Sequence, residues 1–166
     1  MIIKSMKKLL PFLTVTFVLC SCHSPQKKVK KPKKGITYLV GRYPGKGWIE
    51  HNPPKFKALQ SFEKYVPDKL VLTLEYLKHY SVAKYKNEID SKFTILSWDK
   101  VEELTSDLGK WSVIHCIGNK FQVLFYFLEK ENGLVIVKLI APDATTMALV
   151  KPEVDRYVLE LWERKL

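Results

Sequence analysis

Three apolar runs, Trp111–Ile117, Phe121–Leu128 and Leu134–Ala141, follow one another with only a few residues between them. Gly118-Asn119 separates the first two, and Asn132-Gly133 closes the turn before the third. Both pairs tolerate the positive φ angles of tight hairpin turns, and the runs have strand length and strand composition. The pattern predicts an antiparallel meander. Pro142 ends it, since proline has no amide donor for a further ladder bond. Both faces of the middle run are apolar, with Phe121, Phe125, Tyr126 and Phe127 prominent. One face packs on helices. The other is left for the chain itself, a ligand or a partner to cover.

The rest of the chain from residue 35 is read around that meander. Ile36–Val40 reads as a short strand, and 41–54, rich in glycine and proline, as a loop. Lys55–Tyr65 reads as a helix with Phe56, Leu59 and Phe62 on one face. Asp68–Lys86 fits two periods: Leu70, Leu74, Leu77 and Ser81 suit a helix, whereas Leu70, Leu72, Leu74 and Tyr76 alternate as in a strand. Its length and its start after Pro67-Asp68 favour helix. Phe93–Leu96 reads as a short strand. Ser97–Gly109 reads as a helix, capped by Ser97 or Asp99, lined by Trp98, Val101, Leu104 and Leu108, and closed by Gly109. Pro152–Lys165 reads as a last amphipathic helix burying Val154, Tyr157, Val158, Leu161 and Trp162, with Glu160 and Arg164 paired on its wet side. The expected class is α+β: an antiparallel sheet with a three-strand C-terminal meander packed against three to four helices. A helix, Leu108-Gly109 and then a three-strand meander resembles the small helix-plus-sheet lipoproteins that accompany outer-membrane assembly machinery. The proline usual after that glycine is replaced by Lys110-Trp111.

Charge bears on partners. The formal net charge is +11, from 28 basic and 17 acidic residues. Residues 1–34 hold nine lysines and no acid, so residues 35–166 carry 19 bases against 17 acids, a net of +2. A nucleic-acid binder needs its basic stripe on the fold, and here the excess lies outside it. No nucleic-acid partner is expected.

The N-terminus explains that excess. Lys4, Lys7 and Lys8 precede an apolar stretch from Leu9 to Cys20, and small residues Ser21 and Cys22 follow. Twelve helical residues reach only about 18 Å, short of a hydrocarbon core of roughly 30 Å, which favours an export signal over a permanent span. Leu19-Cys20-Ser21-Cys22 resembles the lipobox of bacterial lipoproteins. The resemblance implies removal of residues 1–21 and acylation of the Cys22 thiol, anchoring the chain to a membrane. It also favours the periplasmic face of an outer membrane in a two-membrane cell, because His23 is not the aspartate that signals inner-membrane retention; in a one-membrane cell it implies the outer face of the plasma membrane. Residues 22–34 then form a tether. Lys27, Lys28, Lys30, Lys31, Lys33 and Lys34, with Pro25 and Pro32, cannot bury enough to order themselves. They read either as a contact with anionic lipid or an anionic envelope polymer, each lysine contributing about 1 kcal/mol near such a surface, or as a solvated spacer. Residues 35–166 form a single globular domain.

Candidate chemistry in that domain is sparse. Gly41–Gly47 is one residue short of a phosphate loop and ends in glycine where serine or threonine would hold magnesium. Trp48, beside Arg42, Tyr43 and Lys46, has the composition of a partner-contact hot spot if exposed, and is a core residue if it folds back. His115 and Cys116, as strand neighbours, point to opposite faces and form no dyad. Cys116 reads as a small buried hydrophobe with no partner for a disulfide. His51, His79 and His115 show no metal spacing. Asp99, Glu102, Glu103 and Asp107 read as one solvated helix surface. No cofactor, metal or catalytic set is expected. The first functional reading is a non-enzymatic lipid-anchored envelope protein that binds an envelope protein or polymer, in assembly, exclusion or immunity. The alternative is a small-ligand carrier or enzyme with a site on the sheet around His115, Tyr126 or His79.

Overall fold

A computed structural model describes residues 37–65 and 68–165. Cys22 and the six tether lysines lie outside them. The element order is β1 (Thr37–Val40), β2 (Ile49–Glu50), β3 (Gln60–Tyr65), β4 (Lys69–Lys78), α1 (Val82–Lys92), β5 (Ile95–Ser106), β6 (Gly109–Gly118), β7 (Gln122–Lys130), β8 (Gly133–Ala141), α2 (Ala144–Leu159) and β9 (Trp162–Lys165). Seven strands form one antiparallel sheet in the order β2-β3-β4-β8-β7-β6-β5, and β1 pairs with β9 in a second, two-stranded sheet.

The class is mixed, with mostly antiparallel sheet, but there are two helices among the described residues where three to four are expected. The meander is also larger: β5 joins β6, β7 and β8, so four consecutive strands run as hairpins. Its last strand, β8, pairs on its other side with β4 over Val71↔Ile140 to Lys78↔Gly133.

Each departure has a physical cause. Ser97–Gly109 is strand, not helix. Its ladder with β6 is irregular between Ile95 and Ser97 and between Lys100 and Glu102. A bulge shifts side-chain alternation by one residue. Trp98 thereby faces one side of the sheet opposite Cys116, Leu104 faces the other opposite Trp111, and Val101 falls in the irregular stretch, 50% exposed. The resulting three-residue spacing imitates a helix. Gly109 does adopt positive φ (134°), but as the residue closing the β5–β6 hairpin. The helix on which the resemblance to assembly lipoproteins rested is therefore a strand.

Asp68–Lys86 divides into β4 and the start of α1. Leu70, Leu72 and Leu74 are wholly buried on one face of β4, and Thr73 is 1% exposed on the other. A strand buried on both faces loses its apolar–polar alternation, which blurs its period. His79 turns the chain at φ 60°, and Ser81 caps α1 by accepting from the Lys84 amide at 3.2 Å. Lys55–Tyr65 is a turn followed by β3: Phe56 and Lys57 both take positive φ, which no right-handed helix contains. The last helix begins earlier than expected, at Asp143, whose carboxylate accepts from the Thr146 amide and hydroxyl, each at 2.8 Å. It carries Pro152 inside and ends at Leu159. Leu161 is buried, but Trp162 and Arg164 lie in β9, so the expected Glu160–Arg164 helix pair does not exist.

The main core lies between one face of the sheet and α2. Trp111, Tyr126, Val137 and Leu139 from the sheet meet Met147, Val150, Val154 and Tyr157 from the helix. Polar groups fix α2 in place. Tyr126 is buried and its hydroxyl donates to Asp155 at 2.6 Å. Tyr157 donates to Gln60 Oε1 at 3.0 Å, and the same amide side chain holds both the N–H (2.7 Å) and the carbonyl (3.2 Å) of Gly41. At Gly41 the chain passes against the Tyr157 ring: a Cβ there would lie 2.2 Å from Cε2. Gly41→Ala is expected to destabilise the domain by about 1–3 kcal/mol through this overlap, read as a lowered denaturant midpoint with an unchanged slope.

Candidate functional site

The second face of the sheet is covered by α1, and the cover is incomplete. Tyr85 meets Phe125 and Phe127 edge-on, with ring centroids 5.8 and 5.7 Å apart. Trp98 lies 5.5 Å from Phe125, and its indole N–H donates to Asp90 of α1 at 2.8 Å. These contacts hold the middle of the helix to β7 and β5. Beside them lies an open cleft of about 270 Å³ lined by Tyr85, Ile89, Phe93, Phe121, Val123, Phe125, Lys138 and Ile140. Phe93, half exposed, meets Phe121 edge-on at 5.7 Å at one end. Lys138 is the one charged residue in the lining. It pairs with Glu75 across the β4–β8 ladder, both side chains mostly shielded (18% and 12% exposed), and Thr73 donates to Glu75 at 3.3 Å.

The sequence signals for this cleft are Tyr85, Ile89 and Phe93 at spacings of four, one stripe of a helix, and Phe121, Val123 and Phe125 at spacings of two, one face of a strand. Read together they point two apolar surfaces at each other.

A polar cluster occupies the same face near the β3 edge. Glu63 is 2% exposed, although it sits in no deep core: its own partners enclose it. Lys55 and Lys69 each approach at 3.0 Å, the Tyr65 hydroxyl donates at 2.6 Å, and His51 Nε2 stands 3.2 Å away without making a hydrogen bond. The Tyr65 hydrogen bond, then those from Lys55 and Lys69, hold the Glu63 carboxyl at about 2, well below its ordinary 4.5. Because the value is lowered on folding, the stabilisation is complete above about pH 4.5 and is lost as pH falls toward 2. Glu63→Gln is expected to lower stability at pH 7 and to flatten the fall of Tm between those two pH values. Equal slopes for both proteins would show that the cluster contributes nothing to acid stability.

The other expected residues are scattered. Arg42, Tyr43 and Lys46 are exposed on the loop after β1. Trp48 is not a contact residue: it is 2% exposed, with its N–H on Glu153 at 2.7 Å and Lys64, which also holds Glu153, 5.6 Å over its ring. Arg156 donates to the Pro44 carbonyl at 2.9 Å, so the glycine-rich loop is tied to α2. His115 meets Gln122 at 3.0 Å on the α2 side of the sheet, where Tyr126 also lies, so both are on the face opposite the cleft. His51 is at β3, His79 in the turn after β4, and no group of three metal-ligating side chains occurs among the described residues. The four acids expected on one helix surface lie on or just after β5; Glu103 holds Lys100 and Lys110, and Glu102 holds Lys151 of α2. Cys116 is buried and free, and burial pushes its thiol up to about 11. It is expected to resist alkylation at pH 8 in the native protein and to react once denaturant is added, followed on the peptide that contains it.

No family model matches this chain, and no curated protein matches it. Among solved structures, it is similar to the solution structure of cyanobacterial PsbP (CyanoP) from Synechocystis sp. PCC 6803, with a TM-score of 0.45 and 10% identity over 77% of this chain and 92% of that one. A likeness this distant carries no functional weight.

Proposed function

We propose that the protein is a lipid-anchored lipoprotein of the bacterial envelope whose globular domain binds another envelope component and performs no catalysis. The observation that carries the anchor is Leu19-Cys20-Ser21-Cys22, in register behind a short apolar segment and three lysines. Lys27, Lys28, Lys30, Lys31, Lys33 and Lys34 then stand next to the membrane and add attraction to anionic lipid or polymer, screened beyond a Debye length. The periplasmic face of an outer membrane is the favoured location in a two-membrane cell, and the outer face of the plasma membrane in a one-membrane cell.

For the domain, the cleft under α1 supports binding. Its lining supplies apolar area and one paired lysine, which suits recognition, whereas catalysis needs converging acid, base or nucleophile. The exposed Arg42, Tyr43 and Lys46 remain candidates for contact with an envelope partner. The alternative of a small-ligand carrier gains from the same cleft, but on the α1 face and away from His115 and Tyr126.

The intact mass of the protein from its host's membrane fraction tests the anchor. A chain beginning at Cys22 with added acyl mass, absent from Cys22→Ala, is the expected result. An unmodified chain beginning at Met1 would remove the lipoprotein reading.

A further inference from the structure

We infer that the cleft between α1 and the β7–β8 face is a binding site for a single-chain amphiphile with a carboxylate head, its chain among the aromatic rings and its head at Lys138. The inference rests on the binding role proposed above and is independent of the anchor.

Size excludes larger occupants. An α-helix with its side chains is about 10–12 Å across and needs a groove running the length of an element. The cleft holds about 270 Å³, near the low end of ligand pockets. Room of that size suits a slender apolar chain rather than a helix or a folded segment.

Chemistry selects the two ends. Tyr85, Phe93, Phe121 and Phe125 present ring faces and edges, and Ile89 and Val123 fill between them, a surface that gains from excluding water but offers nothing to a polar body. Lys138 interrupts it on the β8 side. Its ammonium has three donors, and the recorded pairing with Glu75 leaves it able to receive a further acceptor. Thr73 also donates to Glu75, so the glutamate does not depend on Lys138 alone. Glu75 lies close enough to Tyr85 to raise its hydroxyl further above the ordinary value, after burial as the main cause. The polar groups thus gather at one end of an apolar slot. At a site this shielded, a charge-assisted bond to a carboxylate is stronger than on open surface.

The test uses the full-length chain and a photoreactive decanoate, with the labelled peptides mapped by mass spectrometry. Label is expected in residues 82–93 and 121–125. Excess decanoate should displace it, and 1-decanol should do so about tenfold less well, because it lacks the charge that Lys138 recognises. Lys138→Met should abolish that difference between the two competitors. Ile89→Trp, which fills the cleft from α1, should reduce labelling of both peptides at least about tenfold with a cooperative melt retained. Label confined to residues 1–34, label that excess decanoate does not displace, or equal labelling of Ile89→Trp would overturn the inference. None of these results alters the mass at Cys22, so the anchor and the cleft fail separately.

Discussion

The structure depends on β7 being apolar on both faces. Leu124, Tyr126 and Leu128 project to one side, Val123, Phe125 and Phe127 to the other, and all six are almost wholly buried. Each such side chain is worth about 1.5–3 kcal/mol when removed from water. A strand of this kind cannot sit at an edge or in a one-sided sheet. It has to lie centrally and be covered twice, and β6 and β8 flank it while α2 and α1 supply the covers.

The two covers are held differently. The α2 side is closed by a continuous apolar cluster and by polar ties at its margins: Tyr126 to Asp155, Gln60 to Gly41 and Tyr157, and Glu153 to Trp48 and Lys64. Buried donors and acceptors that are all paired specify one arrangement, since losing a partner costs more than the pair contributes. The α1 helix is shorter and rests mainly on Tyr85, with Trp98 and Lys86 at its margin. Its aromatic contacts lie over β7, and the cleft opens beside them at Lys138 and Ile140 of β8. The rigid layer positions the sheet, and the incomplete one leaves it accessible.

The charge distribution is uneven along the chain. The lysine excess belongs to the N-terminal segment, whereas the domain uses its charges in pairs. Glu63, Glu75, Glu102, Glu103 and Glu153 each face at least one lysine. The Glu103 pairs are too exposed to contribute much to stability. Together the pairs leave the surface around the sheet close to neutral.

What the sequence by itself determined is what local chemistry decides. Glycine, asparagine and proline at the ends of Trp111–Ile117, Phe121–Leu128 and Leu134–Ala141 mark strands through backbone rules that hold in any fold, and the anchor proposed for Leu19–Cys22 rests on sequence alone. Even the opposed directions of His115 and Cys116 follow from strand geometry. Only the tertiary structure decided the identity of β3, β4 and β5. A bulge near Val101 converts strand alternation into helical spacing, and burial of β4 on both faces over Leu70–Leu74 erases its period. The cleft is legible only in part, as two apolar stripes at Tyr85–Phe93 and Phe121–Phe125. Their meeting depends on how far α1 lies across the sheet, and that is set by side chains distant in sequence, Phe125, Phe127 and Trp98, that compete for the same helix face. Packing between remote segments has no local signature, so it could be seen only once the chain was folded.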